Sequence, residues 1–107
     1  MRHATHDDLL ELVQMGREFA EAAGEPFDRD KFADTVESLI DADEGVILIS
    51  PAGMVAGVVY GSYFHPDLKI AQELFWWVKP DQRGNKQGVA LLDGFEAWAA
   101  AQGASRV

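Results

Sequence analysis

The chain reads as one mixed α/β (α+β) domain with elements in the order (β)ααβββαβ. Three observations lead there. Two stretches near the start carry apolar residues at helical spacing. Three apolar runs rich in valine and aromatics follow, separated by proline- and glycine-containing turns. The last run enters a polar, glycine-containing loop that opens a further apolar-periodic segment. With 107 residues, 48% of them hydrophobic, the chain can bury one core, so residues 1–107 are read as a single domain.

Met1–Ala4 is a short first strand. Thr5, Asp7 and Asp8 are residue types that cap helices, and Leu9, Leu12, Val13, Gly16, Phe19, Ala20 and Ala23 then recur at helical spacing until Gly24 closes the helix. Gly24-Glu25-Pro26-Phe27 is a turn. Asp28 or Asp30 caps a second helix with Phe32, Val36, Leu39 and Ile40 on one face, ended by residues 41–45. Val46–Ser50 is a continuous apolar run, which predicts a buried strand. Pro51-Ala52-Gly53 is a hairpin turn, and Met54–Phe64 is a long strand with Gly57 and Gly61 as points of bulging or close approach. His65-Pro66-Asp67 turns the chain again, and Ile70–Val78 is the next strand. A helix is predicted over Gly88–Gln102, with Gly103 just past its end. Ala104–Val107 reads as the approach to a further strand.

The net charge of −9 is unevenly placed. Residues 79–107 set Lys79, Arg83, Lys86 and Arg106 against Asp81, Asp93 and Glu96, so the excess of acid lies in residues 1–78. Such a chain repels nucleic-acid phosphates, which argues against DNA or RNA binding. It suits a cationic partner, or simply keeps the surface solvated. No run is long enough to span a membrane, and no apolar segment follows Met1 as in a signal peptide. The absence of cysteine removes disulfides, thiol nucleophiles and zinc–thiolate sites and fits a cytoplasmic location. No His, Asp and Glu spacing suggests a metal site.

The most informative stretch is Leu74–Leu92. A strand feeding a loop feeding a helix start is an anion site, because the first amides of a helix lack internal partners and the dipole there is positive. Lys79, Arg83 and Lys86 add charge around the loop. The run Val78-Lys79-Pro80-Asp81-Gln82-Arg83-Gly84-Asn85-Lys86-Gln87-Gly88 resembles the acyl-CoA-binding motif of the GNAT family of N-acetyltransferases, Val-x-Pro-x-x-Arg-Gly-x-Gly-x-Gly/Ala followed by a helix. Lys86 stands where the family most often has glycine. The element order matches as well. The resemblance implies a central, mostly antiparallel sheet flanked by helices. By the same comparison the chain lacks the family's usual C-terminal strand–helix–strand part.

By that resemblance the donor is acetyl-CoA. Arg83, Gly84, Asn85, Lys86, Gln87 and Gly88, with Val89 and Ala90 opening the helix, would hold its pyrophosphate. Gly84 and Gly88 would let the backbone approach the phosphate oxygens. The strand carrying Trp76, Trp77 and Val78 would pair with the pantetheine arm and polarise the acetyl carbonyl through a main-chain N–H. A primary amine would attack directly in a ternary complex. Glu73 is the candidate base, since an acid in an otherwise apolar strand has its pKa raised by burial; a solvated or ion-paired Glu73 is the alternative. Its face depends on register, which a mid-strand bulge would reset. Tyr63 and His65 are weaker candidates, His65 reading first as a turn residue. Trp76 and Trp77 must face opposite sides of the sheet. Phe27, with Glu25 and Asp28, is a candidate acceptor contact.

A second reading is a catalytically inactive CoA-binding or interaction module, or a fragment of a longer enzyme. A chain that ends at a strand leaves an open sheet edge, which predicts a homodimer. A nucleotide in the loop is disfavoured, because no Gly-Lys-Ser/Thr ending is present.

Overall fold

The computed structural model describes Met1–Val107. The elements are β1 (Arg2–His3), α1 (Leu9–Ala23), α2 (Arg29–Asp41), β2 (Gly45–Ser50), β3 (Gly53–Gly61), β4 (Lys69–Val78) and α3 (Gln87–Ala101). The four strands form one antiparallel sheet in the order β1-β2-β3-β4. The predicted mixed α/β class and element order therefore hold.

The helix signals act where the residues place them. Gly24 takes φ +70° and returns its N–H to the carbonyls of Ala20 and Glu21, ending α1. Asp28 is the cap of α2, its carboxylate accepting the Lys31 N–H at 2.9 Å. No helix is long and apolar enough to cross a membrane.

The sheet separates two apolar layers. One face buries Leu12 and Met15 of α1 and Val36 and Leu39 of α2 against Ile47, Met54, Ala56 and Trp77. The other buries Leu91, Phe95 and Ala99 of α3 against Val46, Leu48, Val55, Val59 and Ala71. Burying each of the large aliphatic or aromatic side chains stabilises by roughly 1.5–3 kcal/mol relative to exposure. Most of β2 and β3 is covered on both faces, which is why these strands read as continuous apolar runs.

Two polar clamps hold the N-terminal segment. Arg2 grips Asp8 with both terminal guanidinium nitrogens, at 2.7 and 2.8 Å, and the Thr5 N–H donates to the same carboxylate at 2.8 Å. Asp8 is buried, and these bonds, that from Arg2 foremost, hold its carboxyl far below the ordinary carboxylate range. His6 Nε2 lies 2.6 Å from Asp41 Oδ1 at the end of α2, and that hydrogen bond raises the His6 pKa. A raised pKa in the folded state means stabilisation that is complete below the unfolded value of about 6.5 and lost as pH rises through the folded one. Thermal melts between pH 5.5 and 8.5 are expected to show the wild type losing its advantage over His6→Gln as pH rises. An unchanged difference would place the pair outside the stability balance.

Several boundaries differ from the sequence expectation: β2, β3 and β4 each begin one residue earlier, and α3 ends at Ala101 instead of Gln102. β1 is only two residues long. β3 stops at Gly61 instead of running to Phe64, because side chains capture the backbone beyond it. Ser62 Oγ accepts the Phe64 N–H and His65 Nδ1 accepts the Asp67 N–H, both at 3.1 Å. Helix α3 begins one residue early, at Gln87, whose N–H is held at 2.9 Å by Asn85 Oδ1. At the chain's end Arg106 bridges Ile70 in parallel, with the Ala71 N–H donating to the Arg106 carbonyl at 2.8 Å. That is the strand approach expected of residues 104–107.

Candidate active site

β4 is an outer strand beyond this short parallel contact, so Leu74–Val78 present a free edge. Which groups point outward follows from alternation. The Lys79 N–H donates inward to the Ala52 carbonyl at 2.8 Å, so the main-chain groups of Val78 and Trp76 turn to the open side. The Val78 carbonyl shows it directly, accepting Arg83 Nε at 3.0 Å.

This edge leads into the loop. Pro80–Gln82 make one 3₁₀ turn, and Gly84 takes φ +87°, a conformation that favours glycine. The main-chain N–H groups of Arg83, Gly84, Asn85, Lys86, Gly88 and Val89 donate to no protein atom. Such a row at the N-terminus of a fifteen-residue helix is an arrangement that suits an anion. Beside it lies a cleft of about 220 Å³ lined by Trp76, Val78, Gln82, Arg83, Gly84, Asn85, Gly88 and Val89. Lys86, in the place of the usual glycine, sits at φ −83°, so its side chain imposes no strain.

Several residues act differently from the expectation. A Cβ on Gly88 would come within 2.8 Å of Val78 Cγ2, so this glycine first lets α3 pack on β4. Lys79 turns away from the loop to Glu11 at 3.4 Å. Arg83 is folded back, its guanidinium 4.7 Å from the centre of the Trp77 ring. Gln87 and Ala90 spend their N–H groups within the protein, on Asn85 Oδ1 and the Lys86 carbonyl.

The two tryptophans do face opposite sides. Trp77 is buried against Phe19, ring centres 5.3 Å apart, and its Nε1 has no partner. Trp76 turns to α3, and its Nε1 donates to the Gly88 carbonyl at 3.2 Å, tying strand to helix start.

Glu73 is placed by a bulge. Ala56 pairs with Phe75 but Gly57 pairs with Glu73, leaving Leu74 as the extra residue. Without the slip Glu73 would share a face with Phe75 and Trp77. With it, Glu73 lies opposite Gly57, whose missing Cβ faces Phe95, so Glu73 belongs to the α3 side at the strand edge. The residue is exposed and makes no hydrogen bond or ion pair, yet partial desolvation of its carboxyl raises its pKa.

On the opposite face a cavity of about 320 Å³ opens between α1 and α2. The candidate acceptor contacts Phe27, Glu25 and Asp28 line it. Phe19, Phe32, Phe75 and Gly16 complete the wall. From the sequence, Phe19 and Phe32 fall on apolar helix faces and Phe75 is one residue of the Ile70–Val78 strand. The overlooked signal is Gly16 on the apolar face of α1, where a Cβ would come within 2.3 Å of Phe32. Tyr63 is not brought to either site. It is 91% exposed in the β3–β4 loop, its ring 6.4 Å from that of Tyr60, because β3 ends before it.

The profile of the acetyltransferase (GNAT) family matches residues 9–107. The chain belongs to the GNAT acetyltransferase family. Solved structures share the fold of this GNAT chain. An integron cassette protein from the Cole Harbour salt-marsh metagenome superposes with a TM-score of 0.83 at 23% identity, over 98% of this chain and 72% of its own. A GNAT family acetyltransferase from Staphylococcus aureus gives 0.76 at 15% identity, over 98% and 80%. A ribosomal-protein-alanine N-acetyltransferase from Brucella melitensis biovar Abortus gives 0.72 at 19% identity, over 97% and 74%. No curated protein matches the chain in sequence.

Proposed function

We propose that this GNAT chain transfers an acetyl group from acetyl-CoA to a primary amine by direct attack in a ternary complex. One observation carries the reading: the open edge of β4 leads, through one 3₁₀ turn, to six partnerless amides in the loop before α3 and in its first turn. The edge suits the two amides of a pantetheine arm, and the amide row suits a pyrophosphate. Bound acetyl-CoA supplies the activated acetyl thioester.

The residues divide the work as follows. The loop amides of Arg83–Lys86, Gly88 and Val89 hold the phosphates. Arg83 leaves the Val78 carbonyl and turns its guanidinium to the same anion. Val78 and Trp76 bind along the open edge, and the outward Trp76 N–H is placed to polarise the acyl carbonyl. Glu73 takes the proton of the attacking amine from the strand edge. Its face is opposite the aromatic cavity, so an amine entering from that cavity reaches it through water.

The test is calorimetric titration with acetyl-CoA and CoA, followed by a product assay on a panel of amines. Micromolar-range binding and an acetylated amine support the reading; a folded protein that binds neither ligand sinks it. Within it, Glu73→Gln is expected to lower kcat/KM by about 10²–10⁴ with acetyl-CoA affinity unchanged. Because desolvation raises the Glu73 pKa, the acidic limb of the wild-type pH–rate profile should lie at higher pH than an unperturbed glutamate would give. A profile identical in Glu73→Gln would assign the proton transfer elsewhere.

A further inference from the structure

The cavity between α1 and α2 is walled by a chain of rings. Phe27 meets Phe32 at 5.6 Å between ring centres, and Phe32 meets Phe75 at 5.5 Å. The rings lead from the α1–α2 turn down to β4. Gly16 lets Phe32 lie flat against α1, so the wall is formed before any ligand arrives. The charges near it offset one another. Glu25 and Asp28 stand beside Lys31; Asp28 is already engaged by the Lys31 N–H, and Arg17 lies 5.1 Å over the Phe27 ring. A volume of about 320 Å³ lies at the small end of the range for small-ligand sites, roughly 300–1,000 Å³.

From these observations we infer that the cavity is a subsite for an apolar ring of the acceptor, and that the acceptor is a small primary amine carried by a short arm on an aromatic body. The inference rests on the acyl-transfer reading for its chemistry but on the cavity alone for its binding. The wall sets Glu25 and Asp28 against Lys31, a single net negative charge that Arg17 over the Phe27 ring offsets, so the several charges of a polyamine find little to pair with despite the acidic composition of the chain. Phe75 supplies the floor and is the immediate neighbour of Trp76, whose N–H faces the open edge. A ring seated on Phe75 therefore directs a short amine arm toward the strand that would present the thioester.

Phenethylamine and spermidine, titrated into the protein with and without CoA, test it. Phenethylamine is expected to bind at least tenfold more tightly than spermidine. Filling the cavity from α1 with Ala20→Phe should weaken phenethylamine at least tenfold and leave acetyl-CoA affinity unchanged. Thr35→Phe fills it from α2 and serves if the first variant folds poorly. Spermidine binding as tightly as phenethylamine, or phenethylamine binding unchanged in both filled variants, overturns the assignment. If phenethylamine binds and acetyl-CoA does not, the cavity assignment stands and acyl transfer falls. If acetyl-CoA binds and phenethylamine does not, the cavity assignment falls alone.

Discussion

Gly88→Trp is expected to weaken acetyl-CoA binding by at least 100-fold. The reason is geometric. A Cβ at this position already meets Val78 Cγ2 at 2.8 Å, so a larger side chain must push the first turn of α3 off β4. That movement carries away the Gly88 and Val89 amides and the Gly88 carbonyl on which Trp76 is anchored. Hydrogen bonds to charged groups contribute about 1.5–3 kcal/mol each, so losing two accounts for a hundredfold or more. Calorimetry gives the affinity, and far-UV circular dichroism shows whether the fold survives. Gly84→Val is the companion. Nothing lies within 4 Å of its Cβ, but φ +87° is strained for a β-branched residue, so the loop must change path without disturbing the core. It should lose affinity with a smaller effect on the melting temperature. Full affinity in both variants would exclude this loop as the phosphate site.

Gly57→Ala is expected to destabilise the fold by about 2–3 kcal/mol, which for a domain near 100 residues lowers the melting temperature by roughly 10 °C or more. The added methyl would stand 2.2 Å from Phe95 Cε1 and 2.7 Å from the Gln72 carbonyl oxygen. Phe95 is 1% exposed and has no free space to retreat into, and the carbonyl belongs to the neighbouring strand. The strain also falls where Gly57 faces Glu73 across the bulge. Loss of acyl transfer should therefore accompany loss of stability, beyond what unfolding explains at low temperature. Gly61→Ala is the control, since a Cβ there meets nothing within 4 Å. A melting temperature for Gly57→Ala equal to that of the control would show that β4 and Phe95 can yield at no cost.

Much of the fold was legible in single residues because local chemistry decides it. Gly24, Asp28 and Gly103 act within a few residues of themselves, and the helices and strands follow from apolar spacing. The loop was legible for the same reason: its glycine, its helix start and the preceding strand are contiguous. The shortening of β3 was missed because Ser62 and His65 compete for backbone groups that an apolar pattern does not reveal. Tyr63 was lost with it.

By itself, then, the sequence determined the element order, the family and the contiguous strand–loop–helix stretch that holds the candidate loop. Tertiary structure decided what depends on distant partners. One extra residue in β4 moved Glu73 to the α3 face, and a bulge is a mismatch between two strands that neither encodes alone. The aromatic cavity likewise needs Gly16 and Phe19 from α1, Phe27 from the turn after it, Phe32 from α2 and Phe75 from β4 to meet. Apart from Phe27, which the family resemblance singled out, each of these residues looks like ordinary core until packing shows the space they leave between them.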